Sequence, residues 1–188
     1  MKTILNVLIA TIVFYFFYMI WAGLLSKFII PYLPDNENFS SSVGHCEIAY
    51  FSFLKSLSYL KHVFFHAEIE EIIFRFIPYT IIQILFLLTR KNVKPVLIIC
   101  SVIMSGIFGY VHGNYINIFV QGVPGLFLSF IFLANGGYII ARRGFVRNTI
   151  WLFWGLFLAI ISHATINLLI KITHKIVTVL YTVTILFF

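Results

Sequence analysis

Apolar runs of roughly membrane-spanning length alternate along this chain with short polar breaks. The runs over residues 4–25, 67–88, 96–118, 123–141 and 150–170 each approach the ~20 residues that a helix needs to cross a bilayer at ~1.5 Å per residue. A further run, 176–188, is too short for a full crossing and predicts a tilted span or a terminal helix lying against the bundle. Residues 47–65 are apolar and aromatic but carry Lys55 and Lys61, a pattern that predicts an interfacial helix rather than a span. The long polar stretch, 34–45, is rich in Ser and Asn and reads as a loop. The expected fold is therefore all-α: a polytopic integral membrane helix bundle of about five to six transmembrane helices plus an interfacial helix. It forms a single membrane domain over residues 1–188, without repeats.

Composition removes the soluble alternatives. Hydrophobic residues make up 61% of the 188 and charged residues only 10%, and the mean hydropathy is +1.02. A soluble domain of this size needs more charge to cover its surface. The net charge of +7 does not read as a nucleic-acid patch, because the basic residues lie in short clusters between apolar runs. The densest clusters are Arg90, Lys91 and Lys94, and Arg142, Arg143 and Arg147, whereas residues 113–122 carry no charge. The positive-inside rule puts the two basic loops and the N-terminus in the cytoplasm, and residues 27–65 and 113–122 outside. Lys27, Lys55 and Lys61 pull the other way. The first run is long for a signal-peptide core and no small-residue cleavage motif follows it, so it is expected to stay as a helix. Cys46 and Cys100 are too few and too far apart to suggest a disulfide framework or a zinc motif.

Against this background the acidic residues stand out. The chain has six, and Glu68, Glu70 and Glu71 fall within four positions beside an apolar run. Carboxylates in such a place are costly and usually mark a site. Three runs carry polar or aromatic residues four apart, on one helical face: Glu71 with Arg75, Phe108 with His112, and His163 with Asn167. Glu70 precedes Arg90 by 20 residues, His112 follows Lys94 by 18 and His163 follows Arg147 by 16. These separations correspond to about 30, 27 and 24 Å of helix, which brings all three residues to one third of the bilayer. A lone histidine in a membrane helix more often bonds to a neighbouring helix than does chemistry. Glu71 with Arg75 could simply be a self-neutralising pair. Neither reading accounts for Glu70, which has no basic residue at helical spacing, or for two histidines at its depth. Glu68, near the helix start, and His45, His62, His66 and His174, at span ends or in loops, read as interfacial.

Together these groups suit hydrolysis. A carboxylate in a low-dielectric site can serve as a general base, a nearby imidazole can hold the same water, and a second His with Asn can donate to an oxyanion. Other chemistries lack their residues. The one aspartate, Asp35, lies in a loop, so no aspartate pair exists, and there is neither a His-Glu-x-x-His motif nor a Gly-x-Ser-x nucleophile motif. A proton or ion carrier could use the same buried Glu and His, but no inverted repeat accompanies them.

The three motifs, Glu70-Glu71-x-x-x-Arg75, Phe108-x-x-x-His112 and His163-x-x-x-Asn167, resemble in order and spacing the signature of the CPBP family. This family, also called Abi, comprises the CAAX proteases and bacteriocin-processing enzymes. The resemblance covers roughly residues 60–170 and implies a catalytic core there. It implies that Glu70 activates water with His112, that His163 and Asn167 stabilise the oxyanion, and that Glu71 and Arg75 form a supporting ion pair. The implied activity is intramembrane cleavage of a small peptide precursor or a membrane-proximal peptide end, with peptide or protein substrates and the lipid bilayer as partners. Residue usage points to a bacterial cell-membrane protein, for which a bacteriocin or pheromone precursor suits better than a prenylated substrate. The alternative is a non-catalytic bacteriocin self-immunity or interaction protein. No cofactor is expected; if a metal such as zinc binds, Glu70, His112 and His163 would be its ligands.

Overall fold

The computed structural model describes residues 2–28, 53–89, 93–113, 115–140 and 144–187. The expected loop 34–45, Cys46, and the basic residues Arg90, Lys91, Arg142 and Arg143 lie outside the described residues. The described elements are helical: α1 (Lys2–Phe28), α2 (Phe53–Glu71), a π-helical turn (Ile72–Phe76), α3 (Ile77–Thr89), α4 (Lys94–Val111), the short α5 (Asn117–Val120), α6 (Gly122–Ala134) and α7 (Phe145–Phe187). Among the described residues, four stretches are long and apolar enough to cross a membrane: Lys2–Phe28, Lys94–Val111, Asn117–Ala134 and Phe145–Thr178. Their outward faces are lined by exposed Ile, Val and Phe, such as Val13, Phe16, Ile98, Val102 and Phe130, as suits a lipid solvent.

Several expected boundaries move. The run 67–88 is not among the four membrane-length helices. It is split by the π turn into the end of α2, which carries Glu68, Glu70 and Glu71, and α3, which has 13 residues. The expected interfacial helix is not a separate element either, since residues 53–65 are the first part of α2. Val63 and Ala67 continue a single apolar face that packs on Ala164 of α7. Helix α4 stops at Val111, short of 118, because the chain turns at His112 and Gly113, where φ is 149°. The next span ends at Ala134 rather than 141, at the sequence Asn135-Gly136-Gly137. Gly136 has φ +126°, and a side chain there would meet the Trp151 carbonyl at 2.3 Å. The final run 176–188 is not separate: α7 continues without a break from Phe145 to Phe187.

The π turn has an identifiable cause. Pro78 has no amide hydrogen for the carbonyl four residues back, and its ring crowds that carbonyl. The ladder widens by one residue, and the Ile77 N–H reaches the Ile72 carbonyl. The turn also corrects register. At 3.6 residues per turn, side chains spaced by four drift about 40° per step, and a wider turn subtracts from that drift. As a result Ala67, Glu71, Arg75, Tyr79 and Gln83, each four residues from the next, are all buried to within 1%.

That buried column faces α4, α6 and α7. Helices α4 and α6 approach closely through small residues, Ser105 on one and Gly122 and Gly125 on the other, the usual means of close approach between membrane helices. The Tyr79 hydroxyl bonds to Ser101 and Ser129 at 3.1 and 2.8 Å. The Gln83 amide donates to the Gly137 carbonyl at 2.7 Å and accepts the Ile139 N–H at 2.6 Å, holding the α6–α7 connection. Helix α1 covers α7 from outside, with Thr11 bonded to Ser162 at 3.0 Å and the Tyr15 hydroxyl to the Leu169 carbonyl at 3.1 Å.

Candidate functional site

Glu70 and Glu71 end α2 and Arg75 lies in the π turn; His112 caps the end of α4; His163 and Asn167 are one turn apart on α7. Packing brings the first five together. Glu70 Oε2 lies 3.3 Å from His163 Nε2, and Glu70 Oε1 lies 3.7 Å from His112 Nε2. Glu71 Oε1 receives both Arg75 Nη1 and His163 Nδ1 at 2.8 Å. Glu70, His112 and His163, expected at one depth of the bilayer, lie in direct proximity, and Glu70 finds across the helix interface the basic partners that its own helix lacks. Asn167 sits half-buried one turn beyond His163, without a hydrogen bond among the described residues.

The cluster has an open side and a closed side. The Glu70 and His112 side chains are 25% and 32% exposed, whereas those of His163, Glu71 and Arg75 are 6%, 0% and 1% exposed. Glu70 and His112 therefore face outward, whereas His163, Glu71 and Arg75 are sealed. His112 Nδ1 lies 2.7 Å from the Phe108 carbonyl. A carbonyl only accepts, so Nδ1 carries the hydrogen and, in the neutral ring, Nε2 presents its lone pair toward Glu70. The 3.7 Å gap is too long for a direct hydrogen bond and suits a shared water.

Arg75 fixes the sealed side. Besides Glu71 it donates to the Gly125 carbonyl at 3.0 Å, and it stacks 4.6 Å above the centre of the Phe108 ring. Phe108 in turn touches both histidine rings, at 4.4 Å from His112 and 5.8 Å from His163. Gly125 is needed at this point, because a Cβ there would come within 3.1 Å of both Arg75 Nη2 and Phe108 Cδ1. Gly109, beside Phe108, lets the chain after His112 fold back; a Cβ there would lie 2.4 Å from the Asn117 carbonyl oxygen. Asn117 also donates to the His112 carbonyl at 3.2 Å.

Gly125, Tyr79 and Gln83 were not expected from the sequence. The signal was present for two of them: Tyr79 and Gln83 continue the four-residue spacing of Glu71 and Arg75. Gly125 is conspicuous only once α6 is packed against Arg75. Among the described residues, no group of three or more His, Cys, Asp or Glu side chains is arranged to hold a metal ion. The open groove on α7 lined by Ile150, Trp151, Phe153, Trp154 and Phe157 is almost entirely apolar and offers no group for acid–base chemistry.

No protein-family model matches the chain. Comparison with curated proteins and with solved structures likewise finds no match.

Proposed function

We propose that this chain is a multi-pass membrane endopeptidase that hydrolyses a peptide bond by glutamate- and histidine-activated water. The observation that carries the reading is Glu70 held between the Nε2 atoms of His112 and His163, at 3.7 and 3.3 Å, on the exposed side of a sealed ion-pair cluster. The resemblance of the three motifs to the CPBP (CAAX protease and bacteriocin-processing) family supports it.

In this reading a water sits between Glu70 Oε1 and His112 Nε2. One of the two takes its proton as the water oxygen forms a bond to the peptide carbonyl carbon. The carbonyl oxygen becomes an oxyanion, stabilised by His163 and by the Asn167 amide. The intermediate collapses with cleavage of the C–N bond, and the stored proton goes to the leaving amine. Glu71 accepts from His163 Nδ1 at 2.8 Å and so fixes the ring with Nε2 facing Glu70 at 3.3 Å; in the imidazolium form Nε2 also carries a hydrogen and donates it to the oxyanion. The substrate class is a small peptide precursor or a membrane-proximal peptide end in a bacterial cell membrane. Residues 67–88 cross as a fifth span through the π turn, with the basic loops cytoplasmic and the Glu70 site toward the outer face.

The test is a comparison of wild type with Glu70→Ala and His112→Ala in the native host, at equal membrane levels, following the masses of secreted and membrane-retained peptides. Loss of a processed peptide in both variants is expected, with rate losses of about 10²-fold or more. An unchanged peptide profile with any immunity phenotype intact would replace the enzyme by a non-catalytic immunity or interaction protein.

A further inference from the structure

On α2, two turns before the site, His62 and His66 form a pair that the proposed hydrolysis does not use. They lie four residues apart, both are exposed, and their rings meet edge to face with centroids 4.2 Å apart. Neither has a hydrogen bond to another described residue. The helix beneath them is fixed, because Val63 and Ala67 are buried against α7. Two imidazoles one helical turn apart on a rigid backbone are pre-organised to chelate a single ion. At metal–nitrogen distances of ~2.0–2.1 Å the two nitrogens need to be roughly 3 Å apart, which rings already in contact reach by rotating about their side-chain bonds.

We propose that His62 and His66 form a two-histidine site for a transition-metal cation, separate from the Glu70 cluster. Imidazole nitrogen selects Zn²⁺, Ni²⁺ or Cu²⁺ over Mg²⁺ or Ca²⁺, which prefer oxygen ligands. No third His, Cys, Asp or Glu among the described residues completes the set, and an ion held by two imidazoles with water in its other positions exchanges readily. Glu70 follows His66 by four residues on the same face, about 6 Å further along the axis. A bound cation therefore stands at the approach to the open side of Glu70 and competes with a substrate lying along α2. The binding itself does not depend on what the Glu70 cluster does.

The experiment is calorimetric titration of tag-free, detergent-solubilised full-length chain with Ni²⁺, and with Mg²⁺ as control. The wild type is expected to bind one Ni²⁺ and no Mg²⁺. His62→Gln and His66→Gln should each weaken Ni²⁺ binding about tenfold or more. Both side chains are exposed, so neither substitution threatens folding. Glu70→Gln and His112→Gln should keep the site. Equal binding in wild type and in the His62→Gln, His66→Gln double variant would overturn the proposal. Loss of the ion in Glu70→Gln or His112→Gln, with retention in His62→Gln, would assign the ion to the Glu70 cluster and overturn it equally.

Discussion

Replacing Arg75 by Met removes the cation from a cluster closed to water. The substituted side chain fills much of the same volume, so the main loss is electrostatic. Glu71, at 0% exposure, would keep one partner, His163 Nδ1 at 2.8 Å, while its Oε2 already has none among the described residues. Breaking a buried ion pair from one side costs about 3–5 kcal/mol, because a charge is left uncompensated. The remaining histidine puts the expected loss near the low end, about 3 kcal/mol, or roughly 10² in the unfolding equilibrium. Lost stacking on Phe108 and the freed Gly125 carbonyl add to this. The assay is reversible unfolding in mixed micelles of dodecyl maltoside and SDS, followed by far-UV circular dichroism. Adding Glu71→Gln to Arg75→Met removes the stranded charge and should restore most of the stability. A loss in Arg75→Met below about 1 kcal/mol, the range of exposed pairs, would refute the reasoning, as would a double variant no more stable than the single.

Three further expectations use the same assay. Gly125→Ala should cost about 1–3 kcal/mol through overpacking, since its Cβ would lie 3.1 Å from Arg75 Nη2 and from Phe108 Cδ1; Gly106→Ala, whose nearest contact would be at 3.9 Å, should be close to neutral. Gln83→Leu should cost about 1–3 kcal/mol by stranding the buried Gly137 carbonyl and Ile139 N–H. Tyr79→Phe should cost less, about 0.5–1 kcal/mol, because Ser101 and Ser129 keep their bonds to the Leu97 and Gly125 carbonyls.

The membrane class, the all-helical fold and the candidate cluster were legible in the order of residues, and for local reasons. A bilayer selects helices by length and apolarity alone, so hydropathy reveals them without reference to their neighbours. The four-residue spacing of Glu71 with Arg75 and of Phe108 with His112 likewise puts each pair on one face whatever packs against it. The ends of helices were less legible. The break after Val111 depends on Gly109 letting the chain fold back onto α4. The stop at Ala134 depends on Gly136 meeting Trp151, and the union of the last two runs depends on no turn signal intervening.

What the chain determined by itself is which side chains are expensive to bury in lipid, and therefore which must find partners. What only the tertiary structure decided is who those partners are. Glu70 has no counter-charge on its own helix; its partners come from α4 and α7. His163 is shared between two carboxylates, an arrangement that spacing along one helix cannot express. The column Ala67, Glu71, Arg75, Tyr79 and Gln83 stays on one face because a π turn at Ile72–Phe76 cancels the drift of an ideal helix. Burial energies act residue by residue and can be read in sequence, whereas the geometry of a site depends on register between helices distant in sequence, which packing sets.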